Sequence, residues 1–161
     1  MKPYQKLNPD QKQSELKKYR DLVLATIDYY LDHKLMYIKT PNVDSNPYLE
    51  DLKQQALAHF DKGRLSRLKQ WFRDLTEMQV ESRDLQFNVY LKEKTGYDVD
   101  IFEKWNLRVA QILEKGRITT DQQFYDIRMW VDRLSQKEPV DVPKIEKLNA
   151  LLLNYERRQK R

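Results

Sequence analysis

Apolar residues return every three or four positions along almost the whole chain, which is the spacing of amphipathic helices. The first such run passes through Leu16, Tyr19, Val23, Ile27, Tyr30 or Leu31, Leu35 and Ile38. Asn8-Pro9 stands ahead of it, a helix-capping side chain followed by proline at the first helical position. The run predicts a helix from Pro9 to about Ile38, with a break offered near Asp32-His33-Lys34. Lys39–Pro47 is rich in Pro, Asn, Asp and Ser and reads as a loop. A second helix then places Leu49, Leu52, Ala56 and Phe60 on one face and stops at Gly63. The third pattern runs through Leu68, Trp71, Leu75, Met78, Ser82, Leu85 and Val89, a heptad seam that predicts one long helix ending near Thr95-Gly96.

A fourth helix, capped by Asp98 or Asp100, presents Ile101 or Phe102, Trp105, Val109 and Ile112 and stops at Gly116. The fifth carries Phe124, Ile127, Val131 and Leu134, and the sixth, opened by Pro143, carries Ile145, Leu148, Leu151 or Leu152 and Tyr155. Leu75, Leu85, Trp105, Val109, Ile127 and Leu148 are the expected core. No stretch alternates with period two for long enough to predict a strand.

Two of these stops repeat one phrase. Asp61-Lys62-Gly63-Arg64-Leu65 returns 53 residues later as Glu114-Lys115-Gly116-Arg117-Ile118, and the offset holds without a gap from Tyr48–Phe72 to Ile101–Tyr125. Glycine follows a last helical turn because it enters the left-handed region without a Cβ clash. Ser66 in one copy, and Thr119 or Thr120 in the other, supply oxygens to cap the next helix. The expectation is all-α: about six helices in an antiparallel bundle, with two tandem hairpins related by the 53-residue repeat. The first and last helices would cover the ends. One helical domain would span 1–161, with repeat units at 47–96 and 100–137 and short disordered basic ends at 1–7 and 157–161.

Composition narrows the function classes. The 161 residues include no cysteine, so disulfides and thiolate metal sites are excluded and a cytoplasmic location is expected. No apolar run reaches the roughly 20 residues that span a bilayer, so no membrane partner is expected. The net charge of +5 is carried by the ends: residues 1–20 hold net +4, Arg157, Arg158, Lys160 and Arg161 add four more, and the segment between is left at −3. No continuous basic face is therefore expected on the body.

Catalytic chemistry finds little footing. The chain has no glycine-rich phosphate loop and no glycine-flanked serine elbow. Neither His33 nor His59 follows a glutamate by three residues, so the Glu-x-x-His ligand pair is absent. Asp28 and Asp32 share a helix face from which His33 points away. Asp74, Glu77, Glu81 and Asp84 form an acidic stripe beside the heptad seam, a pattern that either binds an ion or decorates a wet surface. No cofactor or metal is called for.

The aromatic doublets are more informative. Trp71-Phe72 and Phe124-Tyr125 cannot each lie on one narrow helix face, so one member of each is free for a neighbouring helix or a protein partner. The leading expectation is a non-catalytic helical interaction or scaffold protein that binds a protein or itself. The alternative is a nucleic-acid-associated protein that holds DNA or RNA weakly through Arg157, Arg158, Lys160, Arg161 and the basic N-terminal segment. An enzyme or ligand carrier with a carboxylate site stands third.

Overall fold

The computed structural model describes residues 6–35 and 38–161, so the expected disordered end at 1–7 lies largely outside the described residues. The fold is all-α. The described residues form seven α-helices: α1 (Pro9–Asp32), α2 (Asn46–Asp61), α3 (Leu65–Ser82), α4 (Gln86–Thr95), α5 (Glu103–Lys115), α6 (Asp121–Ser135) and α7 (Val142–Gln159). Two two-residue strands, β1 (Lys39–Thr40) and β2 (Val43–Asp44), add a small antiparallel hairpin inside the segment expected to be loop. Strands this short leave no periodicity to read. Contacts divide the chain into two compact units, residues 1–99 and 100–161.

In the first unit α1 is the hub. Asn8 caps it with a complete capping box, its Oδ1 accepting from Gln11 N–H at 2.8 Å while Gln11 Oε1 accepts from Asn8 N–H at 3.0 Å. It stops at Asp32, earlier than the apolar spacing suggests, because Lys34 takes a left-handed φ of 51°. Ile38 is left exposed beyond it.

Leu22, Val23, Ala25, Thr26, Ile27 and Tyr30 are all buried, which is too wide a band for one neighbour. α2 runs back along α1, bringing Phe60 under the Arg20 guanidinium and Lys53 to Asp28. α3 runs parallel to α1, pairing Tyr19 with Phe72 near one end and Tyr30 with Gln79 near the other. α4 returns along α1, with Tyr90 OH donating to the Ala25 carbonyl at 2.7 Å. The expectation that the first helix covers an end is thus corrected: it needs a neighbour on each of several faces, and three helices surround it.

The long third helix is corrected too. It breaks at Arg83, which adopts φ 54° and ψ 46°. Arg83 N–H returns to Val80 O and Asp84 N–H to Gln79 O, a left-handed helix stop built without glycine. A left-handed non-glycine residue costs roughly 1–2 kcal/mol. Here the arginine side chain is buried and its Nη1 donates to Glu81 O at 2.7 Å.

From Phe72 onward the buried face also lies one position along from the heptad seam. The buried residues are Leu68, Phe72, Thr76, Gln79 and Arg83, whereas Leu75 and Leu85 are half-buried and Met78 and Val89 exposed. Thr76, Gln79 and Arg83 are polar, so a count of apolar positions passes over the face that meets α1. Gln79 is accommodated by Tyr30 OH, which donates to its Oε1 at 2.8 Å and also contacts Leu75 O.

In the second unit α6 packs on α7 and runs opposite to it, with Phe124 stacked on Tyr155 and Tyr155 OH bonded to Asp121. Phe102, at the start of α5, meets Trp130 well along α6. Val109, Ile127 and Leu148 are buried as expected, but Trp105 is half-buried. It lines a crevice of about 100 Å³ between α5 and α6 instead of filling the core. α7 continues through Gln159, so Arg157 and Arg158 are helical residues.

The repeated phrase makes the same turn in different ways. Gly63 and Gly116 have φ of 66° and 69°. After α2, Gly63 N–H bonds Phe60 O and Arg64 N–H bonds His59 O, a Schellman pair. After α5, Gly116 N–H bonds Ile112 O and Leu113 O. The restarts differ further. α3 begins at Leu65 with Arg64 at its N-cap and no side-chain cap, so Ser66 does not perform the expected capping. α6 begins three alignment positions later, capped by Thr120, whose Oγ1 accepts from Gln123 N–H at 3.2 Å.

No atom lies within 4 Å of a Cβ built on either glycine, so substitution meets backbone strain alone. Gly63→Ala and Gly116→Ala are each expected to cost on the order of 1 kcal/mol. Urea unfolding of the two variants beside the parent checks this. Parental stability in both would refute the left-handed stops.

Candidate functional site

The four aromatic residues singled out in the sequence take different environments. Phe72 is buried, edge-on to Tyr19 with ring centroids 6.0 Å apart. Trp71 is half-buried and meets His59 edge-on at 5.1 Å. Phe124 is half-buried and stacks on Tyr155 at 5.3 Å. Tyr125 alone of the four stays open, 58 % exposed. One turn on, Met129 is 45 % exposed, so α6 presents two large apolar side chains to water. The opposite face of the same helix buries Ile127, Trp130, Val131 and Leu134. The sequence reading missed Met129, although its spacing of four from Tyr125 places the two side by side on a helix.

The acidic stripe does not assemble. Asp74, Glu77 and Glu81 are exposed on α3. Asp84 lies past the Arg83 break, where it accepts from Tyr29 OH at 2.9 Å. Asp28 is engaged by Lys53 Nζ at 2.7 Å, and His33 stacks on Tyr29. Among the described residues, no three side chains of metal-binding type come together.

Tyr29, Phe87 and Tyr90 form an aromatic cluster between α1 and α4, with centroids 4.8–5.8 Å apart. Burial pushes the Tyr29 phenol up to about 12, helped by its hydrogen bond to Asp84. Burial does the same for Tyr90, to about 12, with Asp28 and Asp32 adding negative charge nearby.

The terminal cations are not equivalent. Arg157, Arg158, Lys160 and Arg161 are all exposed, but Arg158 also donates from Nη2 to the Ile118 carbonyl at 2.6 Å and lies over the Tyr155 ring. Arg158 therefore ties α7 to the turn before α6.

A second basic group, not foreseen in the sequence, gathers in the first unit. Lys12 from α1 and Arg64 and Arg67 from the start of α3 line an open recess of about 350 Å³, together with Gly63, Leu65 and Ser66. Lys62 flanks the same turn. The imidazole of His59, at the end of α2, is held below its ordinary pKa by burial and then by the charges of Arg64, Arg67 and Lys62. The weak charge balance of residues 21–156 hides this corner because Lys12 reaches it from another helix.

Among the described residues no helix is long and apolar enough to cross a membrane. No family model, curated protein or solved structure matches the chain.

Proposed function

We propose that this chain is a non-catalytic helical interaction protein whose second unit holds a protein partner, or a second copy of itself, on the open face of α6. The observation that carries the reading is the pair Tyr125 and Met129, exposed one turn apart on a helix packed from behind. Tyr and Met are enriched in protein interfaces, and buried aromatic anchors supply much of the binding energy there. An up-and-down helical scaffold suits this role, since it presents such a pair on a rigid helix. The recurring glycine stop supports reading α2–α3 and α5–α6 as a duplicated hairpin whose second helix restarts three alignment positions later, with no residue inserted.

The test is a photo-crosslinking residue placed at position 125, with position 89 on α4 as an exposed control. Crosslinked species are identified by mass spectrometry, and self-association is followed by sedimentation. The protein captured at 125, or the second copy, should then bind the Tyr125→Ala/Met129→Ala variant at least tenfold more weakly. Equal crosslinking at 125 and 89, with no effect of the double variant, would remove the proposal.

A second reading draws on the exposed cations Arg157, Lys160 and Arg161 at the end of α7. They can hold nucleic-acid phosphates by releasing counterions, weakly and with steep salt dependence. Binding to labelled duplex should vanish when these residues and the basic N-terminal segment are removed. Salt-resistant, sequence-selective binding by the truncated chain would instead make nucleic-acid recognition the main function.

A further inference from the structure

The turn between α2 and α3 carries charge that the fold does not use. Lys53 pairs with Asp28 and Lys69 with Glu15, yet none of Lys12, Lys62, Arg64 or Arg67 makes an ion pair among the described residues. All four are exposed. Asp10 and Asp61, the nearest acids in sequence, do not line the recess, and no other carboxylate does. The charge order along α3 also opposes its dipole. Its first turn has no acidic residue and its last turn no basic one. Arg64 and Arg67 therefore sit where the helix is already positive, and Glu77 and Glu81 lie toward the end where it is negative. Stability alone favours the reverse order, and a bound anion at the basic end would relieve it.

We propose that the recess binds a small phosphorylated ligand bearing two or more linked phosphates, held by Lys12, Arg64 and Arg67. Arg64 and Arg67 line the same recess, where their planar guanidinium forks can each take a phosphate edge. Lys12 reaches them from a different helix as a third, compact charge. A volume of about 350 Å³ is at the lower end of small-molecule sites and suits a compact anion. A nucleic-acid strand fits less well, because Asp74, Glu77 and Glu81 are exposed farther along the same helix and would repel a backbone laid beside it.

The test is calorimetric titration of the full chain with sodium tripolyphosphate and, separately, with ATP, each without metal. Both should bind, and Arg64→Gln/Arg67→Gln should weaken both at least tenfold. Lys94→Gln/Lys104→Gln, which removes two exposed cations elsewhere, should leave binding unchanged. Tighter binding of ATP than of tripolyphosphate supports the site with a base beside it, and equal binding supports it with recognition confined to the phosphates. NMR of the His59 imidazole gives a local readout. Saturating tripolyphosphate offsets the charges that hold its pKa down, so its titration should move upward in the parent and stay in place in the double variant. The double variant should be at least as heat-stable as the parent, because it removes cations from the positive end of α3. Absence of millimolar binding at low salt, equal weakening by the Lys94→Gln/Lys104→Gln variant, or a His59 titration unmoved at saturation would each overturn the proposal.

Discussion

Phe87→Ala is expected to destabilise the first unit by about 3–5 kcal/mol, the range for removing a fully buried aromatic ring. Phe87 is 0 % exposed and fills the angle between α1 and α4, against Tyr29 and Tyr90. Its loss opens a cavity beside the hub helix, where the neighbours are ring systems that cannot collapse into the space. Val89→Ala, two residues on, is expected to cost under about 0.5 kcal/mol, because Val89 is 48 % exposed. An unbroken third helix with an apolar seam would predict the opposite order, since it places Val89 in the core and Phe87 off it. The measurement is amide hydrogen exchange of α1–α4, which reports opening of this unit without assuming that both units unfold together. A Val89→Ala effect equal to that of Phe87→Ala would rule out the break at Arg83.

That contrast marks where the sequence is legible. Gly63, Gly96 and Gly116 announce helix stops because a left-handed turn favours a residue without Cβ, and all three have positive φ. Asn8 and Thr120 announce starts, and each accepts a backbone N–H near its helix start. Arg83 announces nothing: arginine is a good helix former, and its left-handed backbone is held by tertiary burial that no local pattern encodes. The face of α3 that meets α1 is hidden for a related reason, since Thr76 and Gln79 are buried through hydrogen bonds and not through apolarity.

The candidate surfaces divide the same way. The doublet Phe124-Tyr125 sends one ring against Tyr155 and leaves the other largely in water, although the two still meet edge-on at 5.5 Å. For Trp71-Phe72 the divergence leads to His59 and Tyr19 instead, because α2 and α1 lie on both sides of α3. The basic recess needs Lys12 beside Arg64 and Arg67, a proximity created only when α1 starts near the turn where α2 ends.

Alkaline pH should unfold the first unit through its buried phenols. Tyr29 and Tyr90 are both pushed up to about 12 from an ordinary value of 10.0, chiefly by burial. Tyr30 is raised in the same direction by burial, against the opposing hydrogen bond to Gln79. A phenol whose folded pKa is raised keeps its proton in the native state after the unfolded chain has released it. Between about pH 10 and 12 the unfolded state therefore binds fewer protons, and stability falls as pH rises. The contribution is whole below pH 10 and lost as pH passes through the folded values. A tenfold difference in proton affinity between the folded and unfolded chain is worth about 1.4 kcal/mol, but Tyr29 and Tyr90 are partly open to solvent, so their joint loss is on the order of 2–4 kcal/mol. Lys53, raised mainly by its hydrogen bond to Asp28, weakens the fold in the same window and should be replaced by methionine as a control. Near-ultraviolet tyrosinate absorbance followed together with helical dichroism checks the account. Tyr29 and Tyr90 should ionise only as the helices melt. Tyr90→Phe keeps the ring and removes one phenol, so it should make the loss of stability with pH less steep. Ionisation of every tyrosine near pH 10 in a chain that is still helical would show that the cluster between α1 and α4 is open to water.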